Sequence, residues 1–164
     1  YRLTLSAPEM GAPLMTVYGG KITSYRHLSE EAVDRLADRV SAIVGGHWSS
    51  LQPLPGGDFP IDGAADLHQE ICLRYSFLGE NHASRIAKAY GTRAYSWLGE
   101  AKAWADLGRD FGCGLTQCEV DYLVDAEWAR TAEDILWRRS KLGLRLNAAQ
   151  HSELACYLNP TKSQ

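Results

Sequence analysis

Hydrophobic and polar positions change their spacing as the chain proceeds. Over residues 2–6, Arg-Leu-Thr-Leu-Ser, they alternate, and a second short apolar run, residues 14–18, follows the loop Pro8–Pro13. Alternation with period two puts successive side chains on opposite faces, so this pair predicts a β-hairpin with a long turn. From Thr23 the step becomes three and four. Tyr25, Leu28, Ala32, Leu36, Val40 and Ile43 then line one face of a helix, with Glu30, Glu31, Asp34, Arg35 and Asp38 opposite, and Gly45-Gly46 is the expected stop. Residues 47–62 contain "LQPLPGGDFP", whose three prolines and two glycines forbid regular structure and mark a linker.

Beyond residue 63 the helical period returns. A helix is expected over 64–77, with Leu67, Ile71 and Tyr75 four apart. A second is expected over 81–90, ending at Gly91, and a third over 93–107, ending at Gly108. "LTQCEVDYLVDAEW" opens with a capping-box pattern, Thr116 as cap and Glu119 three residues on. A further helix starts from Thr131 with Asp134 three later and closes at Gly143. Asn147 caps a last helix over 148–158. The expected architecture is mainly α: about six helices in a bundle, preceded by a β-hairpin. Short connections make neighbouring helices antiparallel. The expected organisation is a terminal hairpin and Gly-Gly-Lys turn over 1–22, a connecting helix over 23–46, a linker over 47–62 and a helical domain over 63–164.

A lone hairpin is marginal in water and belongs to a larger sheet, yet no further strands follow. The chain begins at Tyr1 without a Met. Both features point to an upstream part absent from the chain.

Composition narrows the function classes. The 164 residues are 45% hydrophobic, enough for one real core, and the net charge of -3 argues against nucleic-acid binding. The sequence has no apolar run of about 18 residues and no signal-peptide pattern. Cys72, Cys113, Cys118 and Cys156 lack zinc-knuckle spacing, and the five histidines show no ligand spacing. No metal site is expected, the thiols read as reduced, and the histidines read as surface or helix-end residues.

Two stretches could carry chemistry. In "TVYGGKITSYR" a strand runs into Gly19, Gly20 and Lys21 and then a helix. Glycines let a ligand approach the backbone, free N–H groups at a helix start favour negative charge, and Lys21 adds a mobile cation. The alternative is a tight turn with a solvated lysine, and spacing alone favours the turn. The second stretch is the basic cluster Arg130, Arg138, Arg139, Lys141 and Arg145. It could meet an anion or an acidic membrane surface. Glu127, Glu133 and Asp134 lie beside it, however, and Asp134 and Arg138 are four apart. It therefore reads as a charge-laced helix surface with Trp128 and Trp137 as packing anchors.

These residues also carry a resemblance. "PLMTVYGGKITSYRHLSEEAVDRL" and "LTQCEVDYLVDAEWARTAEDILWRRSKLGL" resemble, in order and distance, two motifs of the FAD-dependent, respiratory glycerol-3-phosphate dehydrogenases, and "PLPGGDF" between them fits. The resemblance covers essentially the whole chain, with Ser24 standing where Thr is more usual. It implies the C-terminal part of such an enzyme, the hairpin being the last piece of the catalytic FAD part. Gly19, Gly20, Lys21 and Ile22 would then bind FAD, with Lys21 also near the substrate. No catalytic residue would lie in this chain, which would be inactive alone. The implied parent oxidises sn-glycerol 3-phosphate to dihydroxyacetone phosphate and passes electrons to quinone, peripherally at the inner face of the cytoplasmic membrane. Its implied partners are the missing N-terminal catalytic domain, glycerol 3-phosphate and quinone, with a homodimer left open. The other readings are a helical interaction module and a fragment of an oxygen-using glycerophosphate oxidase.

Overall fold

The computed structural model describes residues 1–43 and 45–159 and divides into two compact units, Tyr1–Leu54 and Pro55–Gln164. In the first, strands β1 (Arg2–Ser6) and β2 (Leu14–Tyr18) pair antiparallel, with Arg2 opposite Tyr18, Thr4 opposite Thr16 and Ser6 opposite Leu14. A 3-10 turn over Ile22–Ser24 leads into helix α1 (Tyr25–Ala37). Polar contacts dock α1 on the hairpin. Arg35 donates to the Leu3 carbonyl at 3.0 Å and to Glu31 at 2.6 Å, and the Tyr1 hydroxyl donates to Glu31 at 2.6 Å.

The helix expected over 23–46 therefore stops at Ala37, well before Gly45. The reason is burial. Most helical stability in a folded protein comes from packing an apolar face, and α1 buries none of its residues. Val40 and Ile43, both half-buried, lie in turns instead, and beyond them the chain doubles back so that His47 and Ser49 bond to Asp34 and Glu30 of α1.

The second unit holds the core. Helices α2 (Ala64–Arg74), α3 (Glu80–Tyr90), α4 (Ala94–Leu98), α5 (Gln117–Asp125) and α6 (Ala148–Leu158) are joined by 3-10 turns, and one π-helix spans Asp134–Arg139. Consecutive elements from α2 to the π-helix pack against one another, as short connections require. Leu67, Ile71 and Tyr75 are buried as their spacing predicts. They join Ile86, Leu98, Leu107, Phe111, Leu115, Val120, Leu123, Ile135, Leu136 and Leu154 in one cluster. The mainly helical class with a small N-terminal hairpin is thus what the chain adopts.

The helix expected over 93–107 is in fact two pieces. Gly99, at φ 52, ends α4 after five residues, and a separate 3-10 turn forms over Trp104–Leu107. The Asp106 carboxylate caps that turn by accepting from the Lys102 and Ala103 amides at 2.8 and 2.9 Å. The segment Pro55–Phe59 lies against the end of α3. Gly56 (φ 86) accepts from the Thr92 amide at 3.1 Å, and Asp58 accepts from the Thr92 hydroxyl. A Cβ on Gly56 would sit 2.3 Å from the Tyr90 carbonyl oxygen, and one on Gly91 1.8 Å from that of Gly56. Only glycine permits this approach from both sides.

Candidate functional site

The strand–turn–helix at residues 16–26 takes the expected shape. β2 ends at Tyr18, and Gly19 and Gly20 have φ of 70 and 126, conformations closed to most side chains. Lys21 returns to extended backbone, and its carbonyl accepts from both the amide and the hydroxyl of Ser24, each at 3.0 Å. No atom lies within 4 Å of where a Gly19 Cβ would be, whereas a Gly20 Cβ would meet Leu28 at 3.3 Å. A side chain at Gly20 would thus crowd Leu28, and Gly19 leaves bare backbone open. Lys21 is exposed, and Ile22 is 88% exposed, a large apolar side chain with no cover. The chain therefore brings Gly19, Gly20, Lys21 and Ile22 into one surface-facing turn.

The α1 surface beside the turn is ionised and hydrogen-bonded. Arg26 and Glu30 pair at 3.2 Å, and Ser49 donates to Glu30 at 2.5 Å. The hydrogen bond from Tyr1, then that from Arg35, holds the Glu31 carboxyl below its ordinary range, and the same contact raises the Tyr1 phenol. His47, 2.8 Å from Asp34, is held above the ordinary histidine value by that bond.

The basic cluster does not act as one surface. Arg138 pairs with Asp134 at 2.6 Å, as its spacing predicts, and Arg139 approaches Glu127 at 3.9 Å. Lys141, in left-handed backbone (φ 60), donates to the Trp137 carbonyl. Trp137 is a packing anchor, but Trp128 is not: it is 79% exposed and sits in left-handed backbone at φ 61. Gly143 does not stop a helix. A Cβ there would fall 2.6 Å from the Trp137 ring, so the glycine seats that ring.

One polar group escaped the sequence reading. Glu119 is fully buried and takes a two-pronged bond from Arg85 at 2.6 and 2.7 Å and a third from the Tyr90 hydroxyl at 2.6 Å. It caps nothing. The Thr116 hydroxyl, expected as its capping partner, is buried without a hydrogen-bond partner. Burial, then the Glu119 charge, pushes the Tyr90 phenol far up. The pairing with Glu119 outweighs burial and keeps Arg85 charged. A signal was present in the sequence. Residues 116, 119, 120 and 123 lie on one helix face with Val120 and Leu123, which places Glu119 toward the core. His82, read as a surface or helix-end residue, stands in the first turn of α3 and is half-buried against Trp104, and burial followed by the Arg85 charge lowers its pKa.

Among the described residues no helix is long and apolar enough to cross a membrane. Comparison with known proteins places the chain in a family. Residues 49–156 match the family described as the C-terminal domain of alpha-glycerophosphate oxidase. The chain is 45% identical over 158 residues to a glycerol-3-phosphate dehydrogenase of Pseudomonas aeruginosa, covering 96% of this chain and 30% of that protein. It is 42% identical to the aerobic glycerol-3-phosphate dehydrogenase of Escherichia coli, covering 96% of this chain and 31% of the relative. It is 37% identical over 87% of its length to a D-erythritol 1-phosphate dehydrogenase of Brucella abortus, covering 28% of that protein. The chain thus spans about 30% of the length of these relatives. With the matched region running through most of the helical unit, the chain belongs to the family of the C-terminal domain of alpha-glycerophosphate oxidase.

Proposed function

We propose that this chain is the C-terminal part of an FAD-dependent glycerol-3-phosphate dehydrogenase that delivers electrons to quinone at the inner face of the cytoplasmic membrane. The observation that carries this reading is the 45% identity to a named glycerol-3-phosphate dehydrogenase over 96% of the chain, which includes the Gly-Gly-Lys turn. In this reading Gly20 turns the chain and Gly19 leaves bare backbone open, so that a flavin would come close to their amides. Lys21 would hold its ammonium near the substrate or the isoalloxazine oxygens, where a mobile point charge suits an anion. Ile22, apolar and exposed, would pack on the flavin. A flavin held there would supply the hydride acceptor. This chain's residues only orient and neutralise charge, and the groups that move protons lie outside it.

The apolar surface of the first unit supports the same partner. Leu14, Tyr18, Ile22, Tyr25 and Leu51 are all more than half exposed, while Leu3 is that unit's one buried hydrophobic residue among those described. A hairpin and helix this uncovered fit a catalytic part that packs over them.

The test is complementation. Joined behind the upstream part of the Pseudomonas relative, the chain should yield a flavoprotein that reduces a dye with glycerol 3-phosphate. Lys21→Ala should lower kcat/KM by roughly a hundredfold, the loss of one charge-assisted contact of about 2–3 kcal/mol. Alone, the 164 residues should bind no flavin and reduce no dye. Stoichiometric FAD on the isolated chain, or an undiminished Lys21→Ala hybrid, would overturn this account. The similarity to an erythritol-phosphate dehydrogenase makes D-erythritol 1-phosphate the competing substrate, and a higher kcat/KM for it would reassign the substrate.

A further inference from the structure

In the helical unit, cations from two distant stretches converge on a cavity of about 920 Å³. Helix α3 contributes Arg85 and Lys88, and the segment that follows the π-helix contributes Lys141 and Arg145. Arg85 is already committed to Glu119. Lys88 and Arg145 make no ion pair among the described residues, and the Lys141 ammonium donates only to a neutral carbonyl. Glu80 is the one carboxylate of the lining. The lining is therefore net positive in a chain whose overall charge is -3.

The backbone at this cavity is unusual as well. Two of the three non-glycine residues with left-handed φ among those described, Cys113 and Lys141, line it. Such conformations are unfavourable and gather where a ligand contact needs them. The π-helix that ends just before this wall is another uncommon geometry that recurs at binding sites. The lining contains no Phe, Tyr or Trp to stack a nucleobase, but it offers the hydroxyl of Ser84.

We propose that this cavity binds a small phosphate-bearing anion, its phosphate held among Lys88, Lys141 and Arg145. The group could belong to a free phosphate ester or to a lipid headgroup, since Leu144 at the rim is 78% exposed. The site stands independently of the dehydrogenase reading, because it is built within the helical unit.

Titration calorimetry of the 164-residue chain with inorganic pyrophosphate at low salt tests this, alongside sedimentation with phosphatidylglycerol vesicles. The expected result is one pyrophosphate per chain, bound more weakly as salt is raised. Lys88→Gln and Arg145→Gln should each weaken binding about tenfold, the low end for one charge-assisted contact because the other cations of the lining remain. Lys88→Arg should retain affinity, and Arg130→Gln, outside the lining, should change nothing. Unaltered thermal melting of the variants shows that they fold. Vesicle binding that needs Lys88 and Arg145, without pyrophosphate binding, also supports the site and names a lipid phosphate as its source. Absence of both kinds of binding, or binding indifferent to the two Gln substitutions, overturns it.

Discussion

At the scale of single residues, Glu119 is the one buried charged group among those described. A buried carboxylate is tolerated only when its charge and lone pairs are met, and here Arg85 and Tyr90 meet them. Removing one partner should cost far more than the net worth of the pair. Arg85→Met should lower unfolding free energy by about 3–5 kcal/mol, because it strands a buried charge. Tyr90→Phe should cost about 1.5–3 kcal/mol, one hydrogen bond to a charged group. Urea unfolding checks both, and Arg85→Met combined with Glu119→Leu should recover much of the loss. His82 gives a pH prediction. Its folded pKa is lowered from 6.5, chiefly by burial and then by Arg85, with Glu119 and Asp110 opposing. A group depressed in this way contributes stability that is complete above 6.5 and is lost as the pH falls through that value toward the folded pKa. The urea midpoint should therefore drop between about pH 7 and pH 5, and His82→Gln should flatten part of that drop.

At the scale of elements, two similar sequence signals had opposite outcomes. Thr131 and Asp134 form a true reciprocal cap: the Thr131 amide and hydroxyl donate to the carboxylate at 3.0 and 2.9 Å, and the Asp134 amide donates back to the hydroxyl at 3.2 Å. Thr116 and Glu119 have the same spacing and form no cap, because the core claims the carboxylate. Thr131→Ala should therefore cost about 1 kcal/mol. Thr116→Val, which removes a buried hydroxyl without a partner, should be neutral or stabilising by about 1 kcal/mol. Thermal melts of the two variants separate these outcomes. The contrast marks what was legible. Local signals sufficed where the local contact wins, as at Asn147, whose side chain caps α6 by accepting from Gln150 at 3.0 Å. They failed where a distant group decides. Arg85, in another helix, takes Glu119, and the bonds from His47 and Ser49 back to α1 turn the chain after Ala37. Gly99 misled for a related reason, since a glycine tolerable inside a helix and one that ends it at positive φ look alike in sequence.

At the scale of the molecule, the two units differ in kind. The turn at Gly19–Ile22 was legible because glycine constraints are local. The cation cavity was not, because Lys88 and Arg145 are 57 residues apart and only the packed helices bring them together. The same division governs stability. The helical unit has a continuous core running from Leu67 to Leu154, whereas the first unit buries Leu3 alone among its described hydrophobic residues. Burial supplies most of the free energy that offsets chain entropy, so a unit without it has little to hold its fold. Residues 55–164 expressed alone should accordingly unfold cooperatively, with a near-UV circular dichroism spectrum dominated by their buried aromatic residues. Residues 1–54 alone should show neither a cooperative transition nor sharp amide dispersion by NMR. A cooperative melt from 1–54 would mean that hairpin and helix need no cover. Loss of the near-UV signal from 55–164 would mean that the helical core depends on residues outside it.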